Sequence, residues 1–78
     1  MREKAEKCVV TFATTTAAME MEAACAKAGV PGRLIPVPRT ITAGCGLCWA
    51  APRQARDAVE VLIVEKHLAA DGIYAILL

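Results

Sequence analysis

The chain is poor in aromatic rings, in net charge and in long uncharged runs. One Phe, one Tyr and one Trp among 78 residues exclude a stacking platform for single-stranded nucleic acid, which needs several exposed rings. A formal net charge of +1 excludes a general nucleic-acid binder, whose affinity comes from neutralising many phosphates. No uncharged stretch approaches the ~20 apolar residues of a membrane span. The longest, Thr40 to Pro52, is interrupted by Gly44, Gly46 and Pro52. The start, Met1 to Lys7, mixes charge signs, and four threonines break the uncharged run after it, which is unlike a secretory signal. These features describe a reducing, cytoplasmic setting in which the four cysteines are thiols.

What is abundant is small aliphatic side chain: 56% of the residues are hydrophobic, mostly Ala, Val, Leu and Ile. One domain spanning residues 1–78 is expected. A domain of this size buries only roughly 60% of its unfolded surface, so its core is marginal. Two roles suit so small a chain: a half-domain that forms a homodimer, or a small scaffold built around one reactive spot.

Cys8 to Phe12 is β-branched and aromatic, the composition of a buried strand. Thr14, Thr15 and Thr16 offer N-cap hydroxyls. Ala17, Met21, Ala24, Cys25 and Ala28 then recur at helical spacing until Gly29 and Pro31 stop the helix. Arg33 to Ile41 is extended and holds Pro36 and Pro38. Residues two apart turn their backbone groups to the same side, so both prolines blank one edge and leave the other free to pair. An edge strand is predicted there. Thr42 to Gly46 reads as a turn, Leu47 to Ala51 as a return strand, and Pro52 as the first turn of a second helix from Arg53 to Leu68 or Ala70. On that helix Arg56 and Glu60 can pair at i, i+4. Asp71-Gly72 ends it, and Ile73 to Leu78 reads as a last strand.

The order βαββαβ with right-handed crossovers predicts an α+β, ferredoxin-like split βαβ fold. Two helices would cover one face of a four-stranded antiparallel sheet of order 4-1-3-2. That order puts the second strand at an edge, where its prolines belong.

Chemistry concentrates at Gly44-Cys45-Gly46-Leu47-Cys48. Flanking glycines let another molecule approach Cys45 closely. From Pro31 to Arg56 there are four arginines and no acid, whereas the rest of the chain carries five basic and eight acidic groups. Positive surroundings favour the thiolate, the nucleophilic form, and the N–H groups of a glycine turn can add an anion nest. Arg39 and Arg53 are the candidate anion-stabilising cations, with Gly44 and Gly46 as room for a partner. Cys48 completes a Cys-x-x-Cys pair, though at a hairpin and not at the helix N-terminus that a thioredoxin-type motif uses. A closed zinc site needs two more ligands, and only Cys8, Cys25 and His67 remain to supply them. Each fits a structural role better, Cys8 and Cys25 as core packing and His67 as a cation at a helix C-terminus. Trp49 either lines a docking surface beside the thiol or covers the sheet.

The segment Leu34 to Leu47, Leu-Ile-Pro-Val-Pro-Arg-Thr-Ile-Thr-Ala-Gly-Cys-Gly-Leu, resembles a family of small bacterial proteins described as selenium/sulfur carrier-like. Its hallmark looks like Pro-x-Pro-Arg followed by Gly-Cys-Gly, here Pro36, Pro38, Arg39, Gly44, Cys45 and Gly46. Phe12 with its threonine run, Glu22 and Ala28-Gly29 fit the same layout. The resemblance implies a cytoplasmic carrier of activated sulfur or selenium, working beside TusA-like carriers, whose own Cys-Pro-x-Pro motif this chain lacks. The expected function is a persulfide (or selenopersulfide) relay on Cys45, a carrier more than a stand-alone enzyme. It would be charged by a cysteine desulfurase or a rhodanese-like donor, with Cys48 releasing the cargo and no cofactor required. The alternatives are a metal-dependent dimerisation or binding module and a Cys-x-x-Cys thiol–disulfide redox domain.

Overall fold

The computed structural model describes residues 5–41 and 46–78. The elements are β1 (Glu6–Thr11), α1 (Thr15–Ala28), β2 (Arg33–Pro36), β3 (Leu47–Pro52), a 3-10 turn (Arg53–Ala55), α2 (Arg56–Glu65) and β4 (Gly72–Leu77). They form one four-stranded sheet of order β2-β3-β1-β4 with every neighbouring pair antiparallel. This is the ferredoxin-like split βαβ arrangement, with β2 at an edge.

Pairing register divides the sheet into two faces. Cys8, Val10, Trp49 and Ala51 face the helices and pack with Phe12 against Ala17, Ala18, Met21 and Cys25 of α1 and Val59 and Leu62 of α2. The other face carries Val9, Thr11 and Cys48 at its centre, all buried. Thr11 donates its hydroxyl across to the Gly72 carbonyl at 3.4 Å. On α1 the small side chains of Ala17, Ala18 and Cys25 are buried with Met21 in this core.

Both helices end through a left-handed residue. Thr14 caps α1 by accepting from the Ala17 N–H at 3.1 Å, and Gly29 at φ 74° closes it. α2 ends in the same way, but with His67 at φ 51° in the glycine position. The Leu68 N–H reaches the Ile63 carbonyl at 3.0 Å and the His67 N–H that of Val64 at 3.4 Å, the paired bonds of a Schellman stop. Two expected boundaries move for these reasons. α2 is shorter than the stretch from Arg53 to Leu68 or Ala70, because Arg53–Ala55 is wound as a 3-10 turn and His67 reverses the backbone. β2 stops at Pro36 instead of running to Ile41, because the chain turns at Arg39–Thr40, where the Ile41 N–H bonds the Pro38 carbonyl at 3.0 Å.

Gly32 explains how β2 meets the core. Its φ is +144°, and a Cβ there would lie 2.6 Å from Trp49 Nε1 and 2.7 Å from the Ala50 carbonyl oxygen. Only the bare backbone of glycine lets the chain pass this close to the indole.

Candidate functional site around the β2–β3 connection

The connection between β2 and β3 leaves the sheet through a narrow neck. The Val37 N–H bonds the Gly46 carbonyl at 3.0 Å, one step beyond the β2–β3 ladder. Arg39 lies exposed in the turn beyond this neck. Gly46 is exposed, adopts φ +77°, and has open space where a Cβ would be. Gly44 and Cys45 lie outside the described residues.

The other three thiols are all described and all buried, at 2% exposure for Cys8 and 0% for Cys25 and Cys48. Burial pushes the Cys25 thiol up to about 11. It also raises Cys8, a shift that nearby Arg56 opposes and Glu60 reinforces. Raised thiols inside a core are protonated and unreactive at neutral pH, so Cys8 and Cys25 are packing residues. Cys48 sits on β3 opposite Thr11 and Ile35, on the face away from the helices, with its Sγ 4.0 Å from the Pro36 carbonyl oxygen.

Strand direction sorts the four arginines. Arg33 begins β2 opposite Ala50, whereas Arg53 and Arg56 follow Pro52 at the end of β3. All three therefore lie at the end of the sheet away from Gly46. At ~3.3 Å per residue, the six-residue β3 holds Arg53 about 20 Å from Gly46, beyond the reach of a side chain. Arg53 therefore lies at the end of β3 away from Gly46, and Arg39 is the arginine nearest the neck in the chain. Arg33 instead lines a groove of about 600 Å³ with Lys7, Ile35, Ala50 and Pro52. Arg56 pairs with Glu60 at 3.1 Å on the surface of α2, a contact worth about 0.3–0.5 kcal/mol.

Trp49 is 3% exposed and belongs to the helix-side core. Its indole covers the sheet and presents no docking surface. Among the described residues its buried Nε1–H has no acceptor.

Topology brings other groups to the neck's end of the sheet. β1 finishes there, since Thr11 pairs with Cys48, so α1 starts there with no acid in its first turn. α2 runs back to the same end and delivers Lys66, His67 and Asp71. The N-terminus of α1 favours negative charge at this end, where Lys66 is set against the carboxylates of Glu65 and Asp71. Sequence spacing did not reveal the contribution of α1. The signal was topological: a βα unit and the hairpin that follows it open at the same end of a split βαβ sheet.

Among the described residues no cluster of three His, Cys, Asp or Glu side chains could hold a metal ion. Nor is any described helix long and apolar enough to cross a membrane.

The family described as "Putative Se/S carrier protein-like" matches residues 7–75. No curated protein and no solved structure matches the chain.

Proposed function

The chain belongs to the Se/S carrier protein-like family, and from that premise we propose that it carries sulfur or selenium as a persulfide or selenopersulfide on Cys45. The observation that supports this reading is the burial of every other thiol: Cys8, Cys25 and Cys48 are each at most 2% exposed. A macromolecular donor must reach the accepting sulfur, and Cys45 is the thiol left for it to reach.

The transfer is redox-neutral. The Cys45 thiolate attacks the outer sulfur of a persulfide on a donor such as a cysteine desulfurase or rhodanese-like protein. A new S–S bond forms on Cys45, the donor's S–S bond breaks, and the donor leaves as a thiolate. Arg39 holds negative charge near the neck, and Gly46 leaves the approach free of a side chain. Cys48 can then discharge the carrier. Its thiolate attacks the inner sulfur of the Cys45 persulfide, a Cys45–Cys48 disulfide forms, and hydrosulfide leaves with the two electrons. Burial of Cys48 keeps it from competing for the donor.

The test is intact-protein mass spectrometry after incubation with a desulfurase and cysteine. One added sulfur atom is expected on Cys48→Ser, where nothing discharges it, and none on Cys45→Ser, while the wild type shows that adduct or the Cys45–Cys48 disulfide that discharge leaves. An adduct that persists in Cys45→Ser, or none on Cys48→Ser, overturns the reading.

A further inference from the structure

The two edges of the sheet are built differently. On β2, Val37 turns its N–H to β3, so Pro36 stands with its missing donor toward the outside. That edge cannot extend a sheet. On β4, Ala5 and Leu78 exchange both backbone hydrogen bonds, at 3.1 and 3.0 Å, which sets the phase of the ladder. Leu78, Ile76 and Tyr74 turn their backbone groups to β1. Ile73, Ala75 and Leu77 turn theirs outward from the edge. No proline and no charge interrupts Gly72 to Leu78, and Leu77 is 63% and Tyr74 41% exposed. Natural edge strands usually avoid this combination because it templates pairing with another strand.

The strand also reads nearly the same in both directions about Ala75, with Ile73-Tyr74 before it and Ile76-Leu77 after. We propose that β4 is a homodimer interface, pairing antiparallel with β4 of a second copy about a two-fold axis at Ala75 and joining two four-stranded sheets into one. Ile73 then faces Leu77 of the partner subunit, Tyr74 faces the partner's Ile76, and Ala75 faces its own copy. Each outward-turned pair exchanges both backbone hydrogen bonds. A two-fold interface must be complementary to itself. This one is, because every facing pair is apolar, no like charges meet, and the smallest side chain lies on the axis. One strand pair buries less than the ~1,200 Å² of a stable interface, so a weak, concentration-dependent affinity is expected. The pairing uses the edge opposite β2, leaving both β2–β3 connections at the outer ends of the joined sheet. It does not depend on what those connections carry.

Sedimentation velocity of the full chain under reductant, from about 1 μM to about 1 mM, brackets that affinity. The wild type is expected to pass from monomer to dimer across this range. Ala75→Pro removes only the outward N–H and leaves the β1 ladder intact, so it is expected to remain monomeric. Ala75→Lys and Ala75→Glu are each expected to be monomeric through like-charge repulsion, and their equimolar mixture to dimerise. Circular dichroism checks the fold of each variant, and the charge-swapped mixture decides the matter should Ala75→Pro fail to fold. A wild type still monomeric at the highest concentration, variants that dimerise like the wild type, or a mixture that stays monomeric would overturn the proposal.

Discussion

Replacing Gly32 with alanine sets a methyl group against two atoms that cannot retreat. Its Cβ stands 2.6 Å from Trp49 Nε1 and 2.7 Å from the Ala50 carbonyl oxygen, well inside the ~3.5–4.0 Å of favourable contact. Trp49 is locked in the core, and Ala50 is held in register with both Arg33 and Val9. The backbone angle of +144° adds a separate cost of about 1–3 kcal/mol for any residue with a Cβ. Forcing the methyl into packed surroundings costs about 1–3 kcal/mol more. The sum, about 2–6 kcal/mol, compares with a total stability of roughly 4–12 kcal/mol for a chain of this length. Gly32→Ala is therefore expected to lose a large part of its stability. Urea unfolding followed by the fluorescence of Trp49, the only tryptophan, measures it. Gly29→Ala and Gly46→Ala serve as controls, since both sites have positive φ but nothing within 4 Å of the added Cβ. Each should lose only about 1–2 kcal/mol. Should Gly32→Ala lose no more than these two, steric contact with Trp49 and Ala50 is not what requires glycine at position 32.

Further outcomes follow from the same geometry. Arg39→Gln is expected to slow iodoacetamide alkylation of Cys45 at neutral pH by about two- to fivefold, the range of one exposed charge interaction. Arg53→Gln, at the far end of β3, should leave the rate unchanged, and equal effects would refute the placement of the two arginines. His67→Gly relieves the left-handed strain at the end of α2 and should stabilise the chain by about 0.5–1 kcal/mol in thermal unfolding; a lower melting temperature would show that the imidazole itself contributes. The buried Cys25 thiol titrates near 11 against an ordinary value of 9.0. Between those values the unfolded chain has released a proton that the folded chain keeps, so stability falls as pH rises through this window and is unaffected below it. Cys8 acts in the same direction. Urea midpoints across the window should decline less steeply for Cys25→Ala than for the wild type, and parallel declines would refute the contribution.

Legibility differed from element to element. The threonine cap, the alanine-rich stripe and Gly29 marked α1 because each is a local requirement of a helix. Pro36 revealed an edge because a missing N–H excludes a central strand whatever surrounds it. The end of α2 was obscured because His67 takes a backbone conformation usually left to glycine, and the paired carbonyls at Ile63 and Val64 hold it there. The requirement at Gly32 was hidden although Pro31-Gly32 is a turn signal, since the constraint comes from Trp49, far along the chain. The spread of the arginines was hidden for a similar reason: four cations close in sequence are separated by the length of a strand.

By itself the sequence determined the element order, the split βαβ topology and the edge position of β2, because capping, periodicity and proline act within a few residues. It also set apart Cys8 and Cys25 as packing thiols, since both fall on apolar stripes. Tertiary structure decided which residues share an end of the sheet. It left Arg39 and the start of α1 with Gly46, sent Arg33, Arg53 and Arg56 to the opposite end, and placed Trp49 in the core. Only strand direction and register fix such distances: residues adjacent in the chain diverge at 3.3 Å per step along a strand, while distant ones meet across the ladder.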